Sequence, residues 1–117
     1  LISKRFYTEL SHIRKTIVAD KIRVGIVGAT VTPGGSGWGA NAHVPALQAL
    51  PNYELKAVCT AHEETARASA EKFGVDLAFH NISEMVTHPD VDLIAIVVRV
   101  PWHKDLVMAA INANKPV

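Results

Sequence analysis

Apolar positions along the chain alternate between two kinds of pattern. Residues 21–27 (Lys-Ile-Arg-Val-Gly-Ile-Val) and 91–98 (Val-Asp-Leu-Ile-Ala-Ile-Val-Val) are β-branched and almost continuously apolar, as expected of strands covered on both faces. Residues 38–50 place Val44, Leu47 and Leu50 at helical spacing, so one buried stripe is expected there. Residues 54–59, with Leu55, Ala57 and Val58, predict a second strand. Thr60 followed by Glu63 reads as a capping box, opening a helix over 61–73 that stops at Gly74. Residues 76–79 predict a short third strand. Asn81 with Glu84 reads as a second capping pair, for a short helix ending near Pro89. Pro101 suits the first turn of a last helix whose stripe is Leu106, Ala109, Ala110 and Ala113. The order β-α-β-α-β-α-β-α calls for an α/β, Rossmann-like doubly wound parallel sheet, truncated after the fourth β-α unit.

Composition narrows the class. The 117 residues are 49% hydrophobic and 20% charged, enough for one domain and too apolar for a disordered tail. The longest apolar run, residues 93–98, is far below the ~18 residues of a membrane-spanning helix. The single cysteine, Cys59, excludes an internal disulfide framework and fits a reducing, cytoplasmic setting. A formal net charge of +1 gives no case for nucleic acid or membrane as partner. Charge is nonetheless uneven: Lys4, Arg5, Arg14, Lys15, Lys21 and Arg23 face only Glu9 and Asp20 in the first 23 residues. Residues 1–20 are read as a basic, solvated extension, and residues 21–117 as the folded domain.

In doubly wound sheets ligands bind outside the carboxyl ends of the strands, where the strand order reverses. The loop from Gly28 to Ala40 is therefore the place to look for a site. A dinucleotide turn needs small residues to permit the tight turn, to let backbone N–H groups reach a pyrophosphate, and to bring helix and strand close. A helix N-terminus then adds its partial positive charge. The regular G-x-G-x-x-G is absent. Gly28-Ala29 is followed by seven extra residues (30–36), Thr30 first among them, and then by Gly37-Trp38-Gly39-Ala40, which fits a G-x-x-A ending.

Four further segments extend the pattern: Ile22-Arg-Val-Gly-Ile-Val-Gly-Ala29, His43-Val-Pro-Ala-Leu47, Pro89-Asp-Val-Asp-Leu-Ile-Ala-Ile96, and His103 ahead of the last helix. With them, residues 21–117 resemble the N-terminal domain of the Gfo/Idh/MocA oxidoreductases, which bind NAD or NADP. The lengthened turn followed by Gly37-Trp38 and His43-Val44-Pro45-Ala46 is similar to the branch that contains the fungal galactose-pathway repressor. The resemblance implies a nicotinamide dinucleotide site without by itself implying turnover. It also implies an acid/base lysine in a Glu-Lys-Pro motif after the next strand, and a larger C-terminal domain forming the substrate wall. Asn114-Lys115-Pro116-Val117 stands where that strand should begin, so Lys115 is not read as the catalytic lysine. The sequence is accordingly expected to be an incomplete module with no catalytic residue of its own, with an open edge on its fourth strand. A second domain or another copy of the chain is its expected partner.

Two functions are compatible with this: the cofactor module of an oxidoreductase acting on a sugar or polyol, or a non-catalytic regulator that senses a dinucleotide. The candidate cofactor-binding residues are Gly28, Ala29, Thr30, Gly37, Trp38, Gly39, Thr60, His62, Val98, Arg99 and His103. Thr60 ends the second strand, where an acidic residue would hold the ribose hydroxyls and repel a 2′-phosphate. With a hydroxyl there, and with His62 or Arg67 as phosphate contacts, NADP is expected ahead of NAD. Thr60 equally serves as a helix cap. Arg99 stands where the family usually has proline; its planar fork suits a pyrophosphate or a carboxylate, or solvent. His103 matches a family histidine near the cofactor, and a hydrogen-bonded structural role is the alternative. Trp38 either lies over the cofactor or wedges the loop, and His43 either packs its helix or meets a phosphate. Cys59 reads as core rather than nucleophile. His12, His80 and His88 show no ligand spacing, and no metal site is expected.

Overall fold

β1 (Ile22–Val27) lies between two parallel neighbours, which accounts for its lack of polar alternation. The sheet order is β3-β2-β1-β4, with β2 at Tyr53–Cys59, β3 at Leu77–Phe79 and β4 at Leu93–Ile96. The computed structural model describes residues 20–32 and 37–117; the basic extension expected over residues 1–20 lies outside them except for Asp20. Successive strand residues point to opposite faces. Ile26 joins a layer with Val44, Leu55, Val58 and Ala70, whereas Val27 joins the opposite layer with Ala57, Cys59, Met85 and Ile94.

The helices cover both layers. A π-helical turn (Gly39–His43) runs into α1 (Val44–Ala49), followed by α2 (Glu63–Phe73) and α3 (Ile82–Val86). A 3-10 turn (Val100–Trp102) leads into α4 (His103–Asn112). The chain steps outward from β1 to β2 to β3, then crosses back to β4. The order therefore reverses between β1 and β4, and a crevice opens at their carboxyl ends.

Local expectations fare unevenly. Gly74 ends α2 in the left-handed conformation (φ 67°), and the Val75 N–H returns to the Ala70 carbonyl at 2.9 Å. Asn81 caps α3 by accepting from the Ser83 N–H at 2.9 Å. Thr60, by contrast, does not cap α2. Its N–H bonds the Phe79 carbonyl at 3.0 Å, which prolongs the sheet and delays the helix until Glu63, with His62 at the N-cap. Leu50 is exposed because α1 stops at Ala49 and Leu50 is already extended (ψ 126°). β4 is shorter than residues 91–98, although the Val97 N–H still reaches the Val27 carbonyl at 2.9 Å. Its edge is not wholly open: the Pro116 carbonyl accepts from the Ile94 N–H at 2.9 Å.

The amino end of the sheet is held by charge. Arg23 grips Asp92 with two guanidinium bonds of 3.0 Å, and its main-chain N–H adds a third at 2.9 Å. Arg23 also holds the Asp92 carboxyl below the usual carboxylate range, chiefly through its side-chain hydrogen bond. Lys115 donates to the His88 carbonyl at 2.9 Å and to the Val91 carbonyl. It thus braces the entry to β4, at the end of the sheet away from the crevice.

Two tests follow from this packing. Met85 is fully buried and fills the space left by Gly25, where a Cβ would lie 2.8 Å from its Sδ. Met85→Ala is expected to cost about 2–5 kcal/mol in urea unfolding. A carboxylate whose folded pKa is lowered stabilises above the unfolded value of about 3.9 and ceases to do so as pH falls through its folded value. Asp92→Asn should therefore lower the unfolding temperature at pH 7, and its deficit relative to the parent chain should vanish on acidification below that range.

Candidate functional site

At the carboxyl ends of all four strands lies a cavity of about 630 Å³. Its floor is Val27 and Gly28 from β1, and Val98 just past β4. Gly28 has φ 98°, a conformation that side chains rarely adopt. A Cβ there would lie 2.7 Å from Val98 Cγ1 and closer still to the Val97 carbonyl oxygen. Glycine is thus required both by the turn and by the nearness of β4.

The other two glycines play different parts. A Cβ on Gly39 would stand 3.2–3.3 Å from the Ala29 Cα and N and the Gly28 carbonyl oxygen, so Gly39 sets how closely the helix approaches the strand end. The sequence pattern did not say which small residue has that packing role; the backbone distances give it to Gly39. A Cβ on Gly37 would meet nothing within 4 Å. Gly37 also accepts the first helical bond, from the Asn41 N–H at 3.0 Å. The amides that follow it form the first turn, which has no partners within the helix. Val31, in the lengthened loop, donates its N–H to the fully buried Ser69 Oγ on α2 at 3.2 Å.

The β2 end supplies Cys59, Thr60 and Ala61 to the cavity wall. Thr60 is 5% exposed; its hydroxyl donates to the His62 carbonyl at 2.9 Å and lies 2.7 Å from Thr65 Oγ1. Burial, with a smaller effect from Glu84, pushes the Cys59 thiol up to about 11, so it stays protonated at neutral pH. It is core, as its apolar setting implied.

Gly28, Thr30, Thr60 and Val98 thus share one cavity, with Ala29 and Gly39 buried behind its rim. Trp38 is 71% exposed and meets His43 edge-on, ring centroids 6.2 Å apart. His62 and Arg99 are exposed and lie off the cavity wall. Arg67 is ion-paired with Glu63 at 2.5 Å. His103 Nε2 lies 2.7 Å from the Val98 carbonyl. Because a carbonyl only accepts, Nε2 carries the proton and Nδ1 is the free acceptor of the neutral ring. His103 thereby ties the start of α4 to the end of β4.

Sequence reading missed the far wall: His80, Asn81 and Ile82 after β3, and Trp102, Asp105 and Leu106 beside α4. Applying the strand-end rule to β3 as well as to β1, β2 and β4 would have found the first three. Among the described residues, no three His, Cys, Asp or Glu side chains gather to hold a metal ion. None of their helices is long and apolar enough to cross a membrane.

Comparison with known proteins agrees with this geometry. Dehydrogenase aclE of Aspergillus oryzae is 35% identical over 105 residues, spanning 86% of this chain and 28% of that protein. A scyllo-inositol dehydrogenase from Lactobacillus casei, solved with NAD(H) and scyllo-inositol, superposes with TM-score 0.66 at 25% identity, covering 82% of this chain and 26% of that one. A 3-ketoreductase from Actinomadura kijaniata, solved with NADP, shares the fold at TM-score 0.71 and 24% identity, over 82% of this chain and 28% of that one. The chain thus spans little more than a quarter of the length of these proteins. The family model described as an oxidoreductase family with an NAD-binding Rossmann fold matches residues 22–117, and the chain belongs to that family, the Gfo/Idh/MocA oxidoreductases.

Proposed function

We propose that the chain is the nicotinamide-dinucleotide-binding module of an oxidoreductase acting on a sugar or polyol. The observation that carries this is the division of labour among three glycines at the mouth of β1. Gly28 turns the chain, Gly39 admits the helix, and Gly37 leaves open space before the amides of the first helical turn. These features fit a pyrophosphate, held by the amides after Gly37 and the positive end of the helix. Thr30 lines its approach with Ala29 buried behind, and Thr60 is assigned to the adenosine ribose. Val98 supports the ring system from below, with His103 fixing the carbonyl of that residue. Trp38 and Arg99, both exposed, are assigned to the outer face of a bound dinucleotide, and His62, which stands off the cavity wall, is given no contact. When bound, the cofactor supplies hydride chemistry.

This chain's own contribution is binding and orientation. Lys115 is committed to the carbonyls of His88 and Val91 and is not assigned an acid/base role. We assign the substrate wall to a further domain or a second copy, and the setting to the reducing cytoplasm that a buried free thiol suits. A non-catalytic dinucleotide sensor uses the same site. The lengthened turn before Gly37-Trp38 favours that reading, and an intact Glu-Lys-Pro motif encoded downstream counts against it.

Gly37→Val provides a clean test because, among the described residues, its Cβ meets nothing within 4 Å. The variant should unfold at the temperature of the parent chain, yet bind NADH and NADPH at least about tenfold more weakly, as a lost charge-assisted contact implies. Titration followed through tryptophan fluorescence reads this directly. Unchanged affinity would place the phosphate site elsewhere.

A further inference from the structure

We infer that the β2 end of this site selects the dinucleotide with a free 2′-hydroxyl, NAD(H), over its 2′-phosphorylated form; the inference rests on the dinucleotide reading above. It reverses the preference for NADP expected from the bare presence of a hydroxyl at position 60.

Thr60 Oγ1 lies 2.9 Å from the His62 carbonyl and 2.7 Å from Thr65 Oγ1, while Thr65 Oγ1 lies 3.0 Å from the same carbonyl. Three oxygens therefore make three contacts with two hydroxyl hydrogens between them, and the carbonyl has none to give. Both hydrogens are spent inside this triangle. What Thr60 presents to the cavity is lone-pair density. A ribose 2′-hydroxyl can donate to it. A 2′-phosphate brings only acceptor oxygens and would set like against like in a nearly buried corner.

The surrounding charges act in the same direction. The N-terminus of α2 carries roughly half a positive charge, which would by itself attract a phosphate. Glu63 and Glu64 occupy its first turn and outweigh that partial charge. Arg67, the cation nearest in sequence, is held by Glu63 at 2.5 Å and is not free for a phosphate. His62 is exposed and stands off the cavity wall. The charges at the start of α2 are thus two anions and an already paired cation, while His80 and Asn81 from the end of β3 share the cavity wall with Thr60.

The test titrates the 117-residue chain with NADH and NADPH at matched ionic strength, reading tryptophan fluorescence, with Trp102 on the cavity wall. NADH should bind at least about tenfold more tightly, the scale set by leaving charged acceptors unpaired. NADPH binding as tightly, or more so, overturns the inference and leaves the dinucleotide site standing. Failure of both to bind removes the dinucleotide reading and the inference with it. Glu63→Gln, an exposed change, removes one carboxylate and releases Arg67. The NADH-to-NADPH affinity ratio should narrow by about threefold, as for a surface ion pair. An unchanged ratio would show that these charges do not discriminate, and would count against the inference.

Discussion

The site depends on the contact between the ends of two strands. At Gly28 the backbone turns with positive φ directly against the Val97 carbonyl and the Val98 side chain, leaving no room for a Cβ. This closeness makes β1 and β4 a continuous floor, with the Val97 N–H bonded to the Val27 carbonyl at 2.9 Å. It also fixes the direction in which the chain leaves β1, and therefore where the following helix can begin. Gly39 then approaches the same turn from the other side. If Gly28 carried any side chain, it would collide with the Val97 carbonyl and the floor would split.

Around this floor the protein separates its binding and bracing roles by sheet end. Carboxyl ends carry the glycines, the Thr60 hydroxyl and the cavity. Amino ends carry the ionic grip of Arg23 on Asp92 and the Lys115 ammonium on two carbonyls. Charge that stabilises the sheet is thereby kept away from charge that would greet a ligand. His103 sits at the junction of the two jobs, since it fixes the end of β4 and leaves Nδ1 as an acceptor.

Much of this was legible from residue order. Continuous apolar strands alternating with helical stripes imply a parallel sheet covered on both faces, and the four strands pair as such. Gly74 and Asn81 ended and began their helices through local chemistry that needs no tertiary knowledge. Thr60 escaped because its fate is tertiary: the bond from its N–H to the Phe79 carbonyl belongs to β3, beyond the whole of α2 in sequence, and that bond overrides the local capping signal. The packing glycine, Gly39, was not singled out because a broken motif gives spacing without showing which backbone atoms approach. The exposure of Trp38 was equally invisible, since it depends on where the side chain finds neighbours, whereas the Glu63–Arg67 pair is an i,i+4 contact that the predicted helix already implies.

The bond from the Val31 N–H to Ser69 has a consequence for how such loops diversify. Ser69 is fully buried on a helix that packs on the sheet, so it acts as a mooring post on the near side of the lengthened turn. The helix beginning after Gly37 is the post on the far side. Residues added or removed between the two posts change the closure entropy only slowly, by about 0.6 kcal/mol per doubling of loop length. Lineages can therefore rewrite that stretch, and whatever it touches, while the turn at Gly28 and the amides after Gly37 stay in register.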